Sequence, residues 1–192
     1  SYTSDPADPV PYTGKTMGER NNEYVTEDQR FLKGRKDVLS FKGEPLKEDL
    51  HVAGPIKAKV YLSTTGTDAD IIVKVIDVFP DDAPNGQGGM QRLVRGEVFR
   101  GKFRNSFTKP EPFTPGQVTK VEYPMNDIFH TFRRGHRIMI QVQSTWFPLV
   151  DRNPQHFVPN IYLAKPEDFR SAVHRVYRTT QHPATISFGQ LP

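Results

Sequence analysis

Histidines, clustered carboxylates and a single tryptophan are the residues whose types and spacing could do chemistry in this 192-residue chain. His130 and His136 flank the glycine at Gly135, six residues apart. That spacing is no strong metal signature, so structural hydrogen bonding around the turn is the expected role. His51, His156, His174 and His182 are dispersed singles and receive the same reading. Asp68, Asp70, Asp77, Asp81 and Asp82 raise the question of calcium. Turn chemistry at Gly66 accounts for Asp68 and Asp70, and Asp81-Asp82 lacks the glycine and glutamate spacing of an EF-hand. Asp77 is different, because it interrupts the most apolar run of the chain. An ionised carboxylate there needs a partner, so a buried ion pair is expected, with a residue such as an arginine as counter-ion. Neither a metal nor a cofactor is expected.

Nucleophilic catalysis finds no support. No Gly-x-Ser-x-Gly elbow occurs; the nearest approach, Ser187-Phe188-Gly189, lacks the upstream glycine and a following helix. His-Glu-x-x-His and phosphate-loop patterns are absent, and without cysteine there are no thiolates or disulfides. The most site-like stretch is Trp146-Phe147-Pro148-Leu149 with Asp151-Arg152-Asn153-Pro154. In one reading its aromatics plug an end of the fold while Asp151 and Arg152 pin the loop by hydrogen bonds. In the other, Trp146, Phe147 and Leu149, with Tyr12 from the N-terminal region, form a wall toward a substrate cleft or neighbouring domain. The residues alone leave both open.

The elements that must position these groups read as strands. Val38, Leu39 and Phe41 begin the pattern, and Leu46 to Val52 leads to an expected break at Gly54-Pro55. Ile56, Ala58, Val60 and Leu62 alternate with lysines as a half-buried strand. Ala69 to Phe79 carries so little polar surface that it suits a central strand buried on both faces. Pro80 to Gly89 is a loop. Leu93 to Phe99 and Phe103 to Phe107 read as strand pieces broken at Gly101, and Val118 to Tyr123 as another strand. Ile138, Ile140 and Val142 should face a core, leaving Met139, Gln141 and Gln143 on a wetter face. A short helix is expected near Pro166, and Ala172 to Tyr177 with Ala184 to Phe188 as a final strand pair. Eight to ten strands, short turns and no repeat make an all-β jelly-roll sandwich of galactose-binding-like type.

Residues 1–36 read as an extended arm or linker and 37–192 as the domain, one core being the expectation at this length. The arm is Pro-rich at Asp5 to Tyr12 and polar from Met17 to Asn22. Tyr2, Tyr12, Tyr24 and Phe31 are placed to pin it to the domain or to a neighbour. Beginning without methionine in such a stretch suggests a piece of a longer polypeptide. The net charge of +4 comes from 26 basic residues dispersed among 22 acidic ones. That is a solvated surface rather than a nucleic-acid patch. No apolar run is long enough for a membrane-spanning helix, and the start is unlike a signal peptide.

Several motifs in order carry a resemblance. They are Thr65-Gly66-Thr67-Asp68-Ala69-Asp70, Val73 to Pro80, Phe99-Arg100-Gly101-Lys102-Phe103-Arg104, His130-Thr131-Phe132 with Gly135 to Met139, and Phe147-Pro148 with Asp151 to Gln155. Together they resemble the C-terminal domain of cocaine-esterase and X-Pro dipeptidyl-peptidase-like serine hydrolases, in particular the α-amino acid ester hydrolases and glutaryl-cephalosporin acylases. The resemblance implies a non-catalytic domain attached to upstream α/β-hydrolase and cap domains, which carry the Ser-Asp-His triad. It implies a small acyl ester, amide or peptide substrate for the whole protein, and an inactive chain when isolated. Related enzymes are often exported, which implies an exported or periplasmic location, and a homo-oligomer is compatible. A free-standing carbohydrate-binding jelly roll, stacking Trp146 or tyrosines on a sugar, is the competing expectation.

Overall fold

The run Asp70 to Val78 forms a strand in which every residue is buried, and the two sheets are built around it. The structure is a computed structural model and describes residues 1–15 and 22–191; of the polar stretch Met17 to Asn22, all but Asn22 lies outside the described residues. Its strands are β1 (Tyr2–Ser4), β2 (Leu39–Lys42), β3 (Leu50–Thr64), β4 (Asp70–Val78), β5 (Gln91–Arg100), β6 (Thr119–Phe132), β7 (Arg137–Gln143), β8 (Ala172–Tyr177) and β9 (Thr185–Gln190). One sheet runs β1-β8-β3-β6 with β9 also on β3, and the other runs β2-β7-β4-β5. All pairings within them are antiparallel. The chain changes sheets at every connection except β4 to β5 and β8 to β9, which is the crossing connectivity of a jelly-roll sandwich.

The main core lies between the sheets. Ile56, Ala58, Val60 and Leu62 of β3 meet Ile71, Val73 and Val75 of β4, with Tyr123 and Met125 of β6. Fully burying an aliphatic side chain of this kind stabilises the fold by about 1.5–3 kcal/mol. Four details depart from expectation. Gly54-Pro55 does not end a strand: β3 runs through it, and the register with β6 shifts between Gly54 and Ile56. A bulge leaves a residue unpaired, so the missing N–H of Pro55 costs no ladder bond. Phe103 to Phe107 is not a strand, because Gly101–Phe103 is a 3-10 turn followed by irregular chain. Strands β8 and β9 do not form a pair with each other; they share one edge of β3, β8 against Tyr61 to Thr64 and β9 against Val52 to Lys59. The short helix expected near Pro166 is present, as a single 3-10 turn over Pro166–Asp168 with the proline in its first position.

The fourth departure concerns the arm. Tyr2 to Ser4 is a strand on β8, and Val10, Tyr12, Gln29 and Leu32 are buried. Arm and loops cover the outer face of the second sheet, where Tyr12, Tyr24, Trp146 and Leu149 pack with Ile72, Ile76, Val78, Leu93 and Met139. Consequently Met139, Gln141 and Gln143 are not on a wet face but are 4%, 3% and 0% exposed. Both faces of this sheet are buried.

Candidate functional site

The loop after β7 is held by the arm on one side and by buried polar groups on the other. Val10 N donates to Thr145 Oγ1 at 2.7 Å, Phe147 N to Val10 O at 2.9 Å, and Tyr12 N to Phe147 O at 3.0 Å. The Phe147-Pro148 peptide is cis. Trp146 packs edge-on to Tyr24 with ring centres 5.6 Å apart, and the Lys74 ammonium stands 5.0 Å from its ring centre. A side chain at Gly96 would come within 2.6 Å of the Trp146 ring, so the indole occupies the space that this glycine leaves open.

Further along, Arg152 lies 5.3 Å from both the Phe147 and Phe169 ring centres and donates to Pro6 O at 2.7 Å. Such a cation between two rings fixes the loop by stacking as well as by charge. Asp151 and Arg152 therefore have separate partners. The Arg100 guanidinium donates to Asp151 at 2.8 Å and, through two nitrogens, to Asp70 at 3.2 Å. Asn153 donates to Asp70 at 2.8 Å. Gln155 N donates to Asn153 Oδ1 at 2.7 Å, while its own carbonyl receives the N–H groups of Thr67 and Asp68. At Gly66 a Cβ would sit 2.2 Å from that carbonyl, which is why the Thr65 to Asp70 turn and the Asp151 to Gln155 loop fit only with glycine there. Two motifs separated by some eighty residues thus form one packed unit.

Burial sets the electrostatics of this unit. Desolvation, helped by neighbouring Asp70, pushes the Asp68 carboxyl up to about 6. Desolvation also raises Asp70, with Arg100 opposing. Beneath the loop, Gln155 Nε2 donates to Ser4 Oγ at 2.7 Å, and its Oε1 is 2.8 Å from His174 Nε2. Because an amide oxygen only accepts, His174 must carry its proton on Nε2.

Asp77 lies at one end of the main core, 3% exposed. Its partners are not an arginine but the two histidines: His130 Nε2 is 3.0 Å from Oδ2 and His136 Nδ1 is 2.8 Å from Oδ1. His130 comes from β6 of the opposite sheet, so the carboxylate joins the layers. Arg92, its cross-strand neighbour, stacks over Phe79 instead. Gly135 sits in the β6–β7 turn with φ of 81°.

Trp146 and Tyr12, expected to be candidates for outward contacts, are both 5% exposed within the chain's own second core. A sugar-stacking surface on Trp146 is therefore closed. Phe147 is 37% exposed and Leu149 is half-buried beside it, so these two carry what surface the aromatic loop presents. Among the described residues no serine hydroxyl is bonded to a histidine, and no group of three or more histidine, cysteine or carboxylate side chains is arranged to hold a metal. The arrangement binds chain to chain.

A two-layer β-sandwich with an arm sealing one sheet and a polar-locked loop defines a structural module. Residues 4–187 match the family model of the X-Pro dipeptidyl-peptidase C-terminal non-catalytic domain, and the chain belongs to that family. It is 34% identical over 186 residues to cocaine esterase of Rhodococcus sp. (strain MB1 Bresler), covering 97% of this chain and 31% of the relative. Among solved structures, an aminopeptidase from a marine sediment archaeon, Thaumarchaeota archaeon, is 46% identical, with a TM-score of 0.94 over 100% of this chain and 33% of its own. An α-amino acid ester hydrolase is 42% identical, with a TM-score of 0.95 over 99% of this chain and 32% of its own. The chain thus spans about a third of the length of these relatives. A CocE/NonD family hydrolase of Staphylococcus aureus, at 12% identity and a TM-score of 0.59, shares the fold alone over 81% of this chain and 30% of its own.

Proposed function

We propose that this domain braces the catalytic part of a serine hydrolase that cleaves esters or amides of small acyl or α-amino acyl groups. Upstream α/β-hydrolase and cap domains supply the Ser-Asp-His triad, and the Phe147 and Leu149 surface contacts them beside the substrate cleft. The observation that carries this reading is the family match across residues 4–187, joined to relatives three times as long that are described as an esterase, an amino acid ester hydrolase and an aminopeptidase. The role of the domain is then mechanical. It supplies a rigid, doubly sealed sheet against which a catalytic domain can rest, and acyl transfer remains with the groups that can perform it.

The test uses the longer polypeptide that contains this chain, assayed with p-nitrophenyl esters of α-amino acids and labelled with a serine-directed fluorophosphonate. Turnover and labelling are expected there, and neither in the 192-residue chain alone. A longer polypeptide that neither turns over such esters nor labels removes the serine-hydrolase reading. Within the active protein, Phe147→Ala should lower the thermal midpoint or raise KM, as loss of a half-exposed aromatic contact worth about 1–2 kcal/mol would. Unchanged midpoint and unchanged kinetics would take the contact away from Phe147.

A further inference from the structure

On the side where β2 and β9 form the borders of their sheets, the sandwich does not close. A cavity of about 260 Å³ opens between the layers there. Phe41, Ile138 and Ile140 line it from one sheet, and Val176, Ile186 and Phe188 from the other. All six pack on the main core, yet all are only partly buried. The inner wall of the cavity is itself dry core: Val60, Val73 and Val142 there are 3%, 0% and 5% exposed. The opening is therefore a local gap in an otherwise dry interior. A cavity of about 150 Å³ with similar lining admits benzene, so this one has room for a ring or a short branched alkyl group.

The chemistry of its border is one-sided. Arg178 stands at the mouth and no acidic side chain lines it, while Lys59, which also borders the opening, alternates with the core-facing Ala58 and Val60 and so directs its side chain to the outer face of its sheet. The Arg178 guanidinium lies 4.4 Å from the ring centre of Phe41, which holds its charge over the apolar floor. Among the described residues Arg178 takes part in no ion pair. An apolar slot with a guanidinium free of ion pairs at its mouth is complementary to a molecule with a ring-sized apolar body and one carboxylate.

We propose that this lateral opening is a binding site for a small apolar carboxylate, its hydrocarbon end between the sheets and its carboxylate at Arg178. The proposal is independent of the catalytic reading above, since it uses no residue of the Trp146 loop. It concerns an occupant that is a free small molecule. The competing occupant, an apolar and acidic segment of the longer polypeptide, gives a different outcome in the experiment.

The probe is 4-phenylbutyrate, followed by the methyl resonances of Ile138, Ile140 and Ile186, with 4-phenylbutan-1-ol as the uncharged control. Both the chain and the longer polypeptide are titrated. Saturable shifts of these methyls by the acid are expected in both, with the alcohol weaker by about fivefold. Arg178→Gln should weaken the acid to the level of the alcohol and leave the alcohol unchanged. Because Arg178 is exposed, this variant keeps the fold, and an unaltered thermal midpoint checks that. Ala184→Phe, which fills the slot from its border, should abolish both shifts. No saturable shift, or equal binding of acid and alcohol to the parent chain, overturns the proposal. Binding to the chain but not to the longer polypeptide overturns it in favour of a segment docked from within the same protein.

Discussion

Lys74 is the residue on which the covered sheet places the greatest electrostatic load. It is 0% exposed, with its ammonium 2.9 Å from Gln29 Oε1 in the arm and over the Trp146 ring. Burial, only partly opposed by Glu27, lowers its pKa from 10.5 to about 7. The unfolded chain keeps this proton up to pH 10.5, whereas the folded chain releases it near 7. Between those values the unfolded state binds more protons, so stability rises with pH, and below 7 the cost of the buried charge is fully present. Lys74→Met should therefore remove a pH slope. Its unfolding free energy, from urea titrations, should exceed the parent's most below pH 7, with the advantage shrinking towards 10.5. A constant difference across that range would mean that the ammonium is not desolvated. His174 behaves in the same sense at lower pH. Burial drops it from 6.5 to about 4, so the folded domain loses stability as pH falls through that interval. The variant His174→Gln, although less stable at neutral pH, should lose less on acidification between 6.5 and 4, a comparison that thermal melts at several pH values provide.

Among the elements, Trp146 and the arm hold one another. The indole sits between Gly96 of β5 and Tyr24, and the loop that carries it is bonded to Val10 and Tyr12. Trp146→Ala should cost about 3–5 kcal/mol, the usual range for a buried aromatic truncated in a core. The loss should be local in its dynamics. Hydrogen exchange should speed first at the arm's 3-10 turns, Asn22–Thr26 and Gln29–Leu32, while β3 and β6 remain protected. Uniform loss of protection would show that the second core is not a separate layer. The same elements show what local pattern can and cannot convey. The apolar run of β4 and the alternation of β3 were legible because each strand's burial follows its own side chains. The burial of Gln141 and Gln143 was not, since it depends on an arm more than a hundred residues earlier in the chain. Likewise the hydropathy of β4 marked Asp77 as needing a partner, but His130 and His136 reach it only through sheet packing across 53 and 59 residues. The Gly54-Pro55 pair signals a break in sequence, and only the β6 register reveals a bulge instead.

At the scale of the whole molecule, the open question is where the domain begins. Composition places the boundary near residue 37, whereas the packing argues for an earlier one: Tyr2 to Ser4 pairs with β8 in one sheet, and Tyr12, Tyr24 and Leu32 belong to the cover of the other. A chain starting at Val38 would uncover Ile72, Ile76, Val78, Met139 and Trp146. It would also let water reach Lys74, which is a gain. The two effects oppose each other and their sizes decide the outcome. Each large apolar side chain returned to water costs about 1.5–3 kcal/mol, and several are returned, against relief of one buried ammonium. The balance disfavours the shortened chain by more than a domain's usual reserve of about 5–15 kcal/mol can comfortably absorb. Such a chain should melt well below the parent, bind a hydrophobic dye and self-associate in light scattering, because an apolar sheet face of that extent seeks cover. A shortened chain that stays monomeric, binds no dye and melts with the parent would return the boundary to residue 37 and make the arm a linker. If the expected loss is seen, any unit joined through the arm is joined to a segment that pairs in one sheet and covers the other. Force or displacement at that junction would then be transmitted directly to the sandwich, which is the mechanical property a bracing domain requires.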